Sequence, residues 1–546
     1  MKQLLPIGID DFREIRETDR YYIDKTLIIR DFIQCGDKVA LITRPRRFGK
    51  TLNMTTIREF FDITADSRGI FEGLAIMDTE YASEINSRPV IYFTFKDCKA
   101  RNSESLIFKI ADVVAFEYEK YRLVFNDSVD RTKRSFYMFY LTYDMLLDRS
   151  IDEDNLQSSI SVLMQAVHEY YGIRPIVLID EYDTPILSSV EYRFHDEQKV
   201  FFSGFYGAAL KGQGSLHQAL LTGIQRIAKE SIFSQFNNVR VYTVADKPYS
   251  QYFGLTEGEA EKLLSDYGLS LDDSVKQRYD GYLFGEEEMY NPWSVLYYAD
   301  TGILDNYWLN TSTNFLIRQS ISQAGSLFRK SFDKLIAEGT ATVSVDLTCS
   351  FLELKHNSTL WGLLVNSGYL TIINREPGTS YMSVRIPNGE VTTEFVNIIA
   401  LSVNVESIDL NNMFECLFRR DIEGFLDIYR EIVLSCTSYH DAKENAYHML
   451  FLGMCISLNG LYKITSNIES GHGRSDIRME SLFPERPHIV IEFKQGEDVE
   501  KLKEEALAQI LDKKYHHGLD GDCLCIGIAH NIKECAIAWS TRDSLL

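Results

Sequence analysis

The feature that most constrains this fold is a short apolar run, residues 39–43, followed by a turn that ends in Gly49-Lys50-Thr51. This order predicts a strand, a phosphate-binding loop and a helix, because the N–H groups of such a loop and the positive end of the helix dipole both attract anions. Lys50 is expected to reach the β- and γ-phosphates, and the Thr51 hydroxyl to ligate Mg²⁺. The usual pattern opens with Gly five residues before the second Gly, where this chain has Arg44. The alternative is a strand followed by a cationic turn on a solvated face.

A second apolar run, residues 176–179, is followed by Asp180 and Glu181. Continuous apolarity is typical of a parallel strand covered on both faces, and ligands of open α/β sheets bind at the carboxyl ends of such strands. Asp180 is therefore predicted to hold Mg²⁺, and Glu181 to orient and deprotonate the attacking water. Acids at this point also cap helices, which is the structural alternative.

A further strand is predicted over residues 219–224, and polar residues accompany its end. Thr222 or Gln225 is a candidate sensor of the γ-phosphate, and Arg226 is a candidate for stabilising charge in the transition state. Each is equally compatible with an ordinary strand end. With the apolar run at 90–95 and helical stretches between, the N-terminal two-fifths predicts a doubly wound, mostly parallel sheet.

Length and composition limit the classes of protein. A chain of 546 residues, 45% of them hydrophobic, predicts a globular protein of about two to four domains. Its nine cysteines lack paired metal spacing, and neither a signal peptide nor an apolar run near the ~20 residues of a membrane span is recognisable. We therefore expect a cytoplasmic protein without a membrane partner. The net charge of −22 argues against coating nucleic acid but permits a nuclease with a local contact patch.

A second site is predicted near the C-terminus. Asp476 lies on one apolar-patterned strand and the next, residues 488–494, ends in Glu492-Phe493-Lys494. Alternate residues of a strand share a face, so Glu492 and Lys494 point the same way. Asp476 and Glu492 are expected to bind Mg²⁺, and Lys494 to position or activate the attacking water. The set is completed by Gln509, on a helix predicted over 497–515, and by Glu444 as a further ligand. The structural alternative is that Glu492 and Lys494 simply lie on a solvated strand face, as a Glu-x-Lys pattern alone often does.

Taken in order, these motifs resemble those of bacterial AAA-ATPase-like proteins that carry a C-terminal PD-(D/E)XK nuclease superfamily domain. The resemblance covers nearly the whole chain. It rests on residues 5–12, 22–26, 43–51, 178–183, 222–224, 234–238, 279–282, 291–294, 473–476, 491–494 and 506–510. It implies that an arginine at position 44 is ordinary for the family. The residues it assigns to nucleotide binding are Arg44, Arg47, Phe48, Gly49, Lys50, Thr51 and Asp180.

The expected fold is therefore an α/β protein of three domains: a P-loop NTPase with a doubly wound parallel sheet (1–250), a helical, winged-helix-like middle domain (251–405) and a restriction-endonuclease-like α/β domain (406–546). The expected function is ATP binding and hydrolysis, with nucleotide state gating Mg²⁺-dependent cleavage of nucleic acid, DNA in preference to RNA. The alternative is an ATP-driven switch or interaction protein whose nuclease fold is inactive. A homo-oligomer is compatible with the sequence, which leaves the oligomeric state open.

Overall fold

We analysed the protein in a computed structural model. The structure describes residues 2–126, 128–212, 214–226, 239–308, 317, 320, 324, 326–348, 356–402, 407–435, 451, 454–458, 461–470, 473–531 and 534–541. Two compact units make up the chain. The first comprises Met1–Trp308 and Val345–Thr371, and the second comprises Leu309–Ser344 and Ile372–Leu546. The three-domain division stays a prediction.

A five-stranded parallel sheet forms the centre of the first unit, with its strands in the order β2-β3-β4-β1-β5. This confirms the predicted doubly wound arrangement. The strands are short, and β1, β3 and β4 are buried throughout, as continuous apolar runs require. Their bounds are β1 Val39–Thr43, β2 Val90–Thr94, β3 Ile176–Asp180, β4 Ala219–Gly223 and β5 Val239–Tyr242.

The register places the polar strand ends at one edge. Thr43 of β1 pairs with Gly223 of β4, and Thr94 of β2 pairs with Asp180 of β3. Strand β4 ends one residue before the predicted end, because the Ile224 N–H donates to the Asp183 side chain instead of to a neighbouring strand (2.8 Å). The carboxyl edge of the sheet therefore collects the residues predicted to bind nucleotide.

Helices cover both faces of this sheet. The longest of these helices pack together through aromatic side chains: the Phe139 ring stacks on Tyr118, with ring centroids 4.9 Å apart. Side-chain caps begin several of them, including Asn102 and Asp152, which accept from backbone N–H groups three residues ahead as N-cap residues do. The helices are α1 Phe12–Glu17, α2 Leu27–Cys35, α3 Lys50–Phe61, α4 Arg68–Phe71, α5 Ser103–Phe125, α6 Arg134–Leu147, α7 Glu153–Tyr171, α8 Thr184–Glu191 and α9 His195–Leu210.

The rest of the first unit is a small antiparallel sheet with further helices. The sheet has the order β6-β8-β7. A helix, a glycine turn at Gly368 and the start of a strand follow later in the chain. The elements are β6 Leu255–Thr256, α10 Glu257–Asp266, α11 Asp273–Tyr279, β7 Tyr282–Phe284, β8 Glu287–Tyr290, α12 Pro292–Thr301 and, after the first segment of the second unit, α14 Asn357–Asn366.

The second unit contains two sheets. One has three strands in the order β10-β11-β9, and the other has five in the order β12-β13-β14-β15-β16, mixed because only β14 and β15 are parallel. The elements are α13 Ser326–Glu338, β9 Thr340–Ser344, β10 Thr371–Arg375, β11 Tyr381–Arg385, α15 Gly389–Ser402, α16 Ser407–Phe418, α17 Ile422–Ser435, β12 Tyr462–Ser470, β13 Gly473–Ser481, β14 His488–Gln495, α18 Val499–Asp512, β15 Cys523–His530 and β16 Cys535–Thr541.

Helix α18 packs directly on the five-stranded mixed sheet. A Cβ atom at Gly527 of β15 would meet the backbone of Lys503 and Leu507, so only glycine permits this close approach. The helix begins after Asp498, whose side chain accepts from the Lys501 N–H (3.1 Å). This cap explains why the helix begins after the predicted position 497; it ends at Asp512, before the predicted 515. Among the helices that the structure describes, none combines the length and apolarity that crossing a membrane requires.

Candidate functional sites

The predicted phosphate-binding loop connects β1 to α3 at the carboxyl edge of the parallel sheet. Arg47 (φ +66°) and Gly49 (φ +80°) have left-handed backbone conformations, and Lys50 is the first helical residue. Such turns direct successive backbone N–H groups into one concave space. The loop therefore has the backbone needed to surround a phosphate at the start of a twelve-residue helix.

The Lys50 side chain folds back over this loop. Its Nζ atom donates hydrogen bonds to the main-chain oxygens of Arg44 (3.1 Å) and Pro45 (2.8 Å). Burial lowers the pKa of Lys50, and nearby Glu181 and Asp180 oppose that shift. The ammonium group is thus held at the loop by carbonyl oxygens, which a phosphate can replace as partners.

The Asp180 carboxylate joins the phosphate loop to two strands of the sheet. Its Oδ2 accepts from the Thr51 hydroxyl (2.7 Å) and its Oδ1 from the Thr222 hydroxyl (2.5 Å). Burial raises the pKa of Asp180, and the two hydroxyl donors counter this shift because they bind the charged form. A hydroxyl and a carboxylate side by side form the all-oxygen donor set that Mg²⁺ prefers, so these residues fit the predicted ion.

Glu181 follows Asp180 in a left-handed conformation, with φ +50°. This is uncommon for a residue with a side chain and is found at functional sites. Glu181 Oε2 accepts from the Thr184 hydroxyl (2.9 Å). Two residues on, buried Asp183 accepts from the N–H groups of Ile224 and Gln225 (2.8 and 2.9 Å), and burial raises its pKa to about 6. Sequence analysis missed Asp183, although its position after the strand was visible.

Arg44 does not direct its guanidinium into the loop. The side chain is fully buried, lies 5.4 Å from the ring centroids of both Phe253 and Phe284, and donates through Nη1 to the oxygens of Thr43 (2.8 Å) and Tyr242 (3.2 Å). Burial lowers its pKa to about 9. The aromatic and carbonyl contacts give Arg44 a structural position, while its predicted contact with nucleotide stays a prediction.

Phe48 and Arg47 also have partners away from the phosphate turn. The buried Phe48 ring packs on Tyr282, with centroids 4.9 Å apart, so only its backbone remains to bind a phosphate. The Arg47 guanidinium lies 4.0 Å from the Trp293 ring centroid, a cation–π distance. Its Nη1 donates to the main-chain oxygen of Tyr307 (3.2 Å). Arg226, the last described residue before 239, is half-buried.

The second site lies on β13, β14 and α18 of the second unit. Asp476 and Glu492 are adjacent: the Asp476 N–H donates to Glu492 Oε2 (3.3 Å), and Asp476 Oδ2 accepts from the Phe493 N–H (2.7 Å). Burial raises the pKa of Asp476, opposed by the Phe493 hydrogen bond and the charge of Lys494. Each carboxylate thus accepts a hydrogen bond from the backbone of the neighbouring strand, and both offer oxygen donors suited to Mg²⁺.

The Gln509 side chain hydrogen-bonds to both Glu492 and Lys494. Its Nε2 donates to Glu492 Oε1, while its Oε1 accepts from Lys494 Nζ (2.7 Å). The Tyr515 hydroxyl lies 3.3 Å from Gln509 Nε2. Tyr515 was missed by the sequence analysis, because nothing in the local pattern marks a residue beyond the helix end as a partner of the site.

The predicted ligand Glu444 lies outside the described residues. Within the described part of the chain, no cluster of three or more His, Cys, Asp or Glu side chains has the arrangement of a metal site. The described set at the second site is thus Asp476, Glu492, Lys494 and Gln509, which the structure brings together from three elements.

Known proteins match both parts of the chain. Residues 6–233 match the family described as "Predicted AAA-ATPase", and residues 442–543 match the PD-(D/E)XK nuclease superfamily. A protein of Azotobacter chroococcum mcd 1, described as an uncharacterized protein in the vnfD 5′ region, is 26% identical over 530 residues, which cover 94% of this chain and 93% of that protein.

A solved structure, the Walker-type ATPase paby2304 of Pyrococcus abyssi, is 14% identical and aligns over 68% of this chain and 95% of its own, with a TM-score of 0.35. The two domain matches agree with the parallel sheet and the mixed sheet described above. The resemblance predicted from the motifs is thereby confirmed: the chain carries an AAA-ATPase-like domain and, at its C-terminus, a domain of the PD-(D/E)XK nuclease superfamily.

Proposed function

We propose that this protein binds and hydrolyses ATP at the phosphate loop and cleaves nucleic acid at the C-terminal site, with nucleotide state gating the cleavage. The observation that carries the ATPase part is the hydrogen bond between Thr51 and Asp180 (2.7 Å). It joins the loop residue and the strand-end acid, the two side chains that would hold Mg²⁺.

At the first site, each requirement of ATP hydrolysis has a residue that can meet it. The backbone from Arg44 through Gly49 surrounds the phosphates, and Lys50 exchanges its carbonyl partners for β- and γ-phosphate oxygens. Thr51 and Asp180 would hold Mg²⁺, which neutralises phosphate charge when bound. Glu181 orients the attacking water and accepts its proton, and Arg226 stabilises transition-state charge.

The second site supports phosphodiester hydrolysis through its chain of contacts from Asp476 to Gln509. Asp476 and Glu492 would hold Mg²⁺, which polarises the scissile phosphate when bound. Lys494 positions the attacking water, and Gln509 fixes both Lys494 and Glu492 by one hydrogen bond each. Glu444, which lies outside the described residues, is proposed as a further ligand.

DNA is the proposed substrate in preference to RNA, and the three-domain division 1–250, 251–405 and 406–546 is the proposed framework for gating. Joining an ATPase-like and a nuclease-like domain in one chain supports the coupling. The net charge of −22 predicts weak, salt-sensitive binding to nucleic acid. The same charge favours the alternative, an ATP-driven switch whose nuclease fold is inactive.

The test incubates purified full-length protein with labelled single- and double-stranded DNA and RNA, in Mg²⁺ or Mn²⁺, with and without ATP. Cleavage is expected, and Glu492→Ala and Lys494→Ala should abolish it while ATP turnover continues. Glu504→Ala, an exposed acid on the same helix as Gln509, is the matched control and should cleave normally. Cleavage that survives Glu492→Ala would exclude this site.

The ATPase half is tested separately. Glu181→Gln should retain ATP and lose about 10²–10⁴-fold in hydrolysis, the usual contribution of a general base, whereas Lys50→Ala should lose binding. Unchanged turnover in Glu181→Gln would refute its role. ATP turnover without cleavage of any nucleic acid would favour the alternative, an ATP-driven switch with an inactive nuclease fold.

A further inference from the structure

A row of four basic side chains lies along the amino edge of the parallel sheet, the edge opposite the phosphate loop. Each residue stands one or two positions before a strand: Arg88 before β2, Arg174 before β3, His217 before β4 and Lys38 before β1. Because the strand order is β2-β3-β4-β1, the four residues follow one another across neighbouring strands. The pairing of β2 with β3 places Arg88 and Arg174 level in the register. The function proposed so far gives this amino-edge row no role.

Main-chain hydrogen bonds fix the positions of this row. The His217 N–H donates to the oxygen of Pro175, the residue after Arg174 (2.8 Å). Lys38 Nζ donates to the main-chain oxygens of Leu216 and His217, the latter at 3.0 Å. The Lys38 ammonium is therefore held at the start of β4, beside His217, and the row is arranged before any ligand arrives.

The positive charges of the row are only partly neutralised. Within the part of the chain that the structure describes, none of the four side chains forms an ion pair with a carboxylate. Asp37, next to Lys38 in the chain, instead lies 3.6 Å from the Arg240 guanidinium and accepts from the Tyr242 hydroxyl. A protein with a net charge of −22 thus keeps a concentration of positive charge at this edge.

The electrostatics of the row indicate that its cations are close together. Burial and the charges of neighbouring cations lower the pKa of His217 to about 4, against the opposing charge of Glu84. These cations are Arg88, Lys38 and Arg174. Burial and the charge of Arg174 also lower the pKa of Lys38. Like charges held together raise the free energy of the folded protein, and a bound anion relieves this repulsion.

We infer that the amino-edge row binds the phosphate backbone of a nucleic-acid strand. Neighbouring strands of a sheet lie about 4.8 Å apart, so a row across four strands is about 14 Å long. One strand of a duplex presents a phosphate about every 3.4 Å along the helix axis, so about four phosphates cover this length. Arg88 and Arg174 suit such a ligand, because a planar guanidinium can donate two hydrogen bonds to one phosphate.

This inference goes beyond the proposed function, because it gives the AAA-ATPase-like domain a nucleic-acid site of its own. Residues 6–233, which match that family, contain the whole row. The nuclease superfamily domain in the same chain makes nucleic acid the favoured polyanion over an acidic peptide. Contacts to phosphates carry no sequence information, so the row retains nucleic acid without selecting where it is cut.

The experiment measures binding of a short fluorescent single-stranded oligonucleotide to full-length protein over a range of salt concentrations. EDTA and the Glu492→Ala background prevent cleavage during the measurement. Four phosphate contacts should give a slope of at least about 3 in log affinity against log salt, from about 0.7 for each contact. Arg88→Gln and Arg174→Gln should each weaken binding about tenfold or more, the effect of a lost hydrogen bond to a charged group. Each should also reduce the slope by about 0.7.

Arg101→Gln is the matched control. It removes the same charge from an exposed arginine of the same domain, in the segment that follows the carboxyl end of β2. The control should keep the wild-type affinity and slope. Arg174 is also exposed, so Arg174→Gln should fold normally, with a melting temperature that is unchanged or raised because repulsion between like charges is relieved.

Equal losses in Arg101→Gln and in the row variants would show a general effect of net charge and overturn the inference, and so would an unchanged slope in the row variants. Tighter binding of polyglutamate than of the oligonucleotide would also overturn it and would assign the row to an acidic protein partner. Failure of the proposed function has a different result. In that case the wild type neither cleaves nucleic acid nor hydrolyses ATP, while the oligonucleotide still binds and the row variants still weaken it.

Discussion

His530 makes the stability of the C-terminal sheet depend on pH. The imidazole is buried at the end of β15, and its Nε2 shares a hydrogen bond of 2.9 Å with the Tyr429 hydroxyl. Burial lowers the pKa of His530 from 6.5 to about 3. The folded protein therefore holds the imidazole neutral at a pH where the unfolded chain protonates it.

The sign and size of the effect follow from linkage. The stabilisation is complete above the unfolded pKa of 6.5 and is lost as the pH falls toward about 3. Between pH 7 and pH 5 the loss is about 2 kcal/mol, from the ratio of protonated to neutral imidazole in the unfolded chain. Replacing the imidazole by an amide that does not titrate, in His530→Gln, should remove this part of the pH dependence.

Native-state hydrogen exchange of the β15 amides at pH 5, 6 and 7, corrected for intrinsic rates, measures the opening free energy of this strand. The wild type should lose about 2 kcal/mol more than His530→Gln over this range. Tyr429→Phe is the control: it deletes the shared hydrogen bond and leaves the burial, so stability should fall at each pH with the wild-type slope retained. Equal slopes in the wild type and His530→Gln would refute the reasoning.

Single side chains at both sites give three further tests. Thr51→Ala should weaken Mg²⁺-dependent binding of a fluorescent ATP analogue about tenfold or more and Thr51→Ser should restore it; the same loss without Mg²⁺ would contradict the metal role. Phe48→Ala removes a ring packed on Tyr282 and Phe284, so it should destabilise the first unit by about 3–5 kcal/mol, and an unchanged melting temperature would be the contrary result. Tyr515→Phe deletes the hydroxyl 3.3 Å from Gln509 and should slow cleavage less than Gln509→Ala does; initial rates that rank the other way would exclude Tyr515 as support for Gln509.

Local patterns were sufficient for much of the fold. The run Val39–Thr43 is a strand with the predicted bounds, and a helix, α3, follows the phosphate loop as predicted. These features could be predicted because continuous apolarity, a glycine with positive φ and a helix start are properties of consecutive residues. The pairing of Asp476 with Glu492 was also accessible, since a short connection between strands favours an antiparallel pair.

The partners of charged side chains could not be predicted in the same way. Arg44 belongs to a cationic turn in the sequence, yet the structure buries it between Phe253 and Phe284, more than 200 residues away. Asn366 likewise contacts Gln225, 141 positions earlier in the chain, only because separate elements bring the two side chains together. No periodicity within one segment encodes such a contact.

The sequence by itself determined the strand–loop–helix unit, the acids at the strand end and the residue types of both sites. Only the tertiary structure decided which oxygen meets which hydroxyl, as when Thr51 contacts Asp180 across 129 positions. The physical reason is that backbone geometry and hydrophobic patterning are local, whereas the direction of a side chain toward a distant partner depends on how the elements pack.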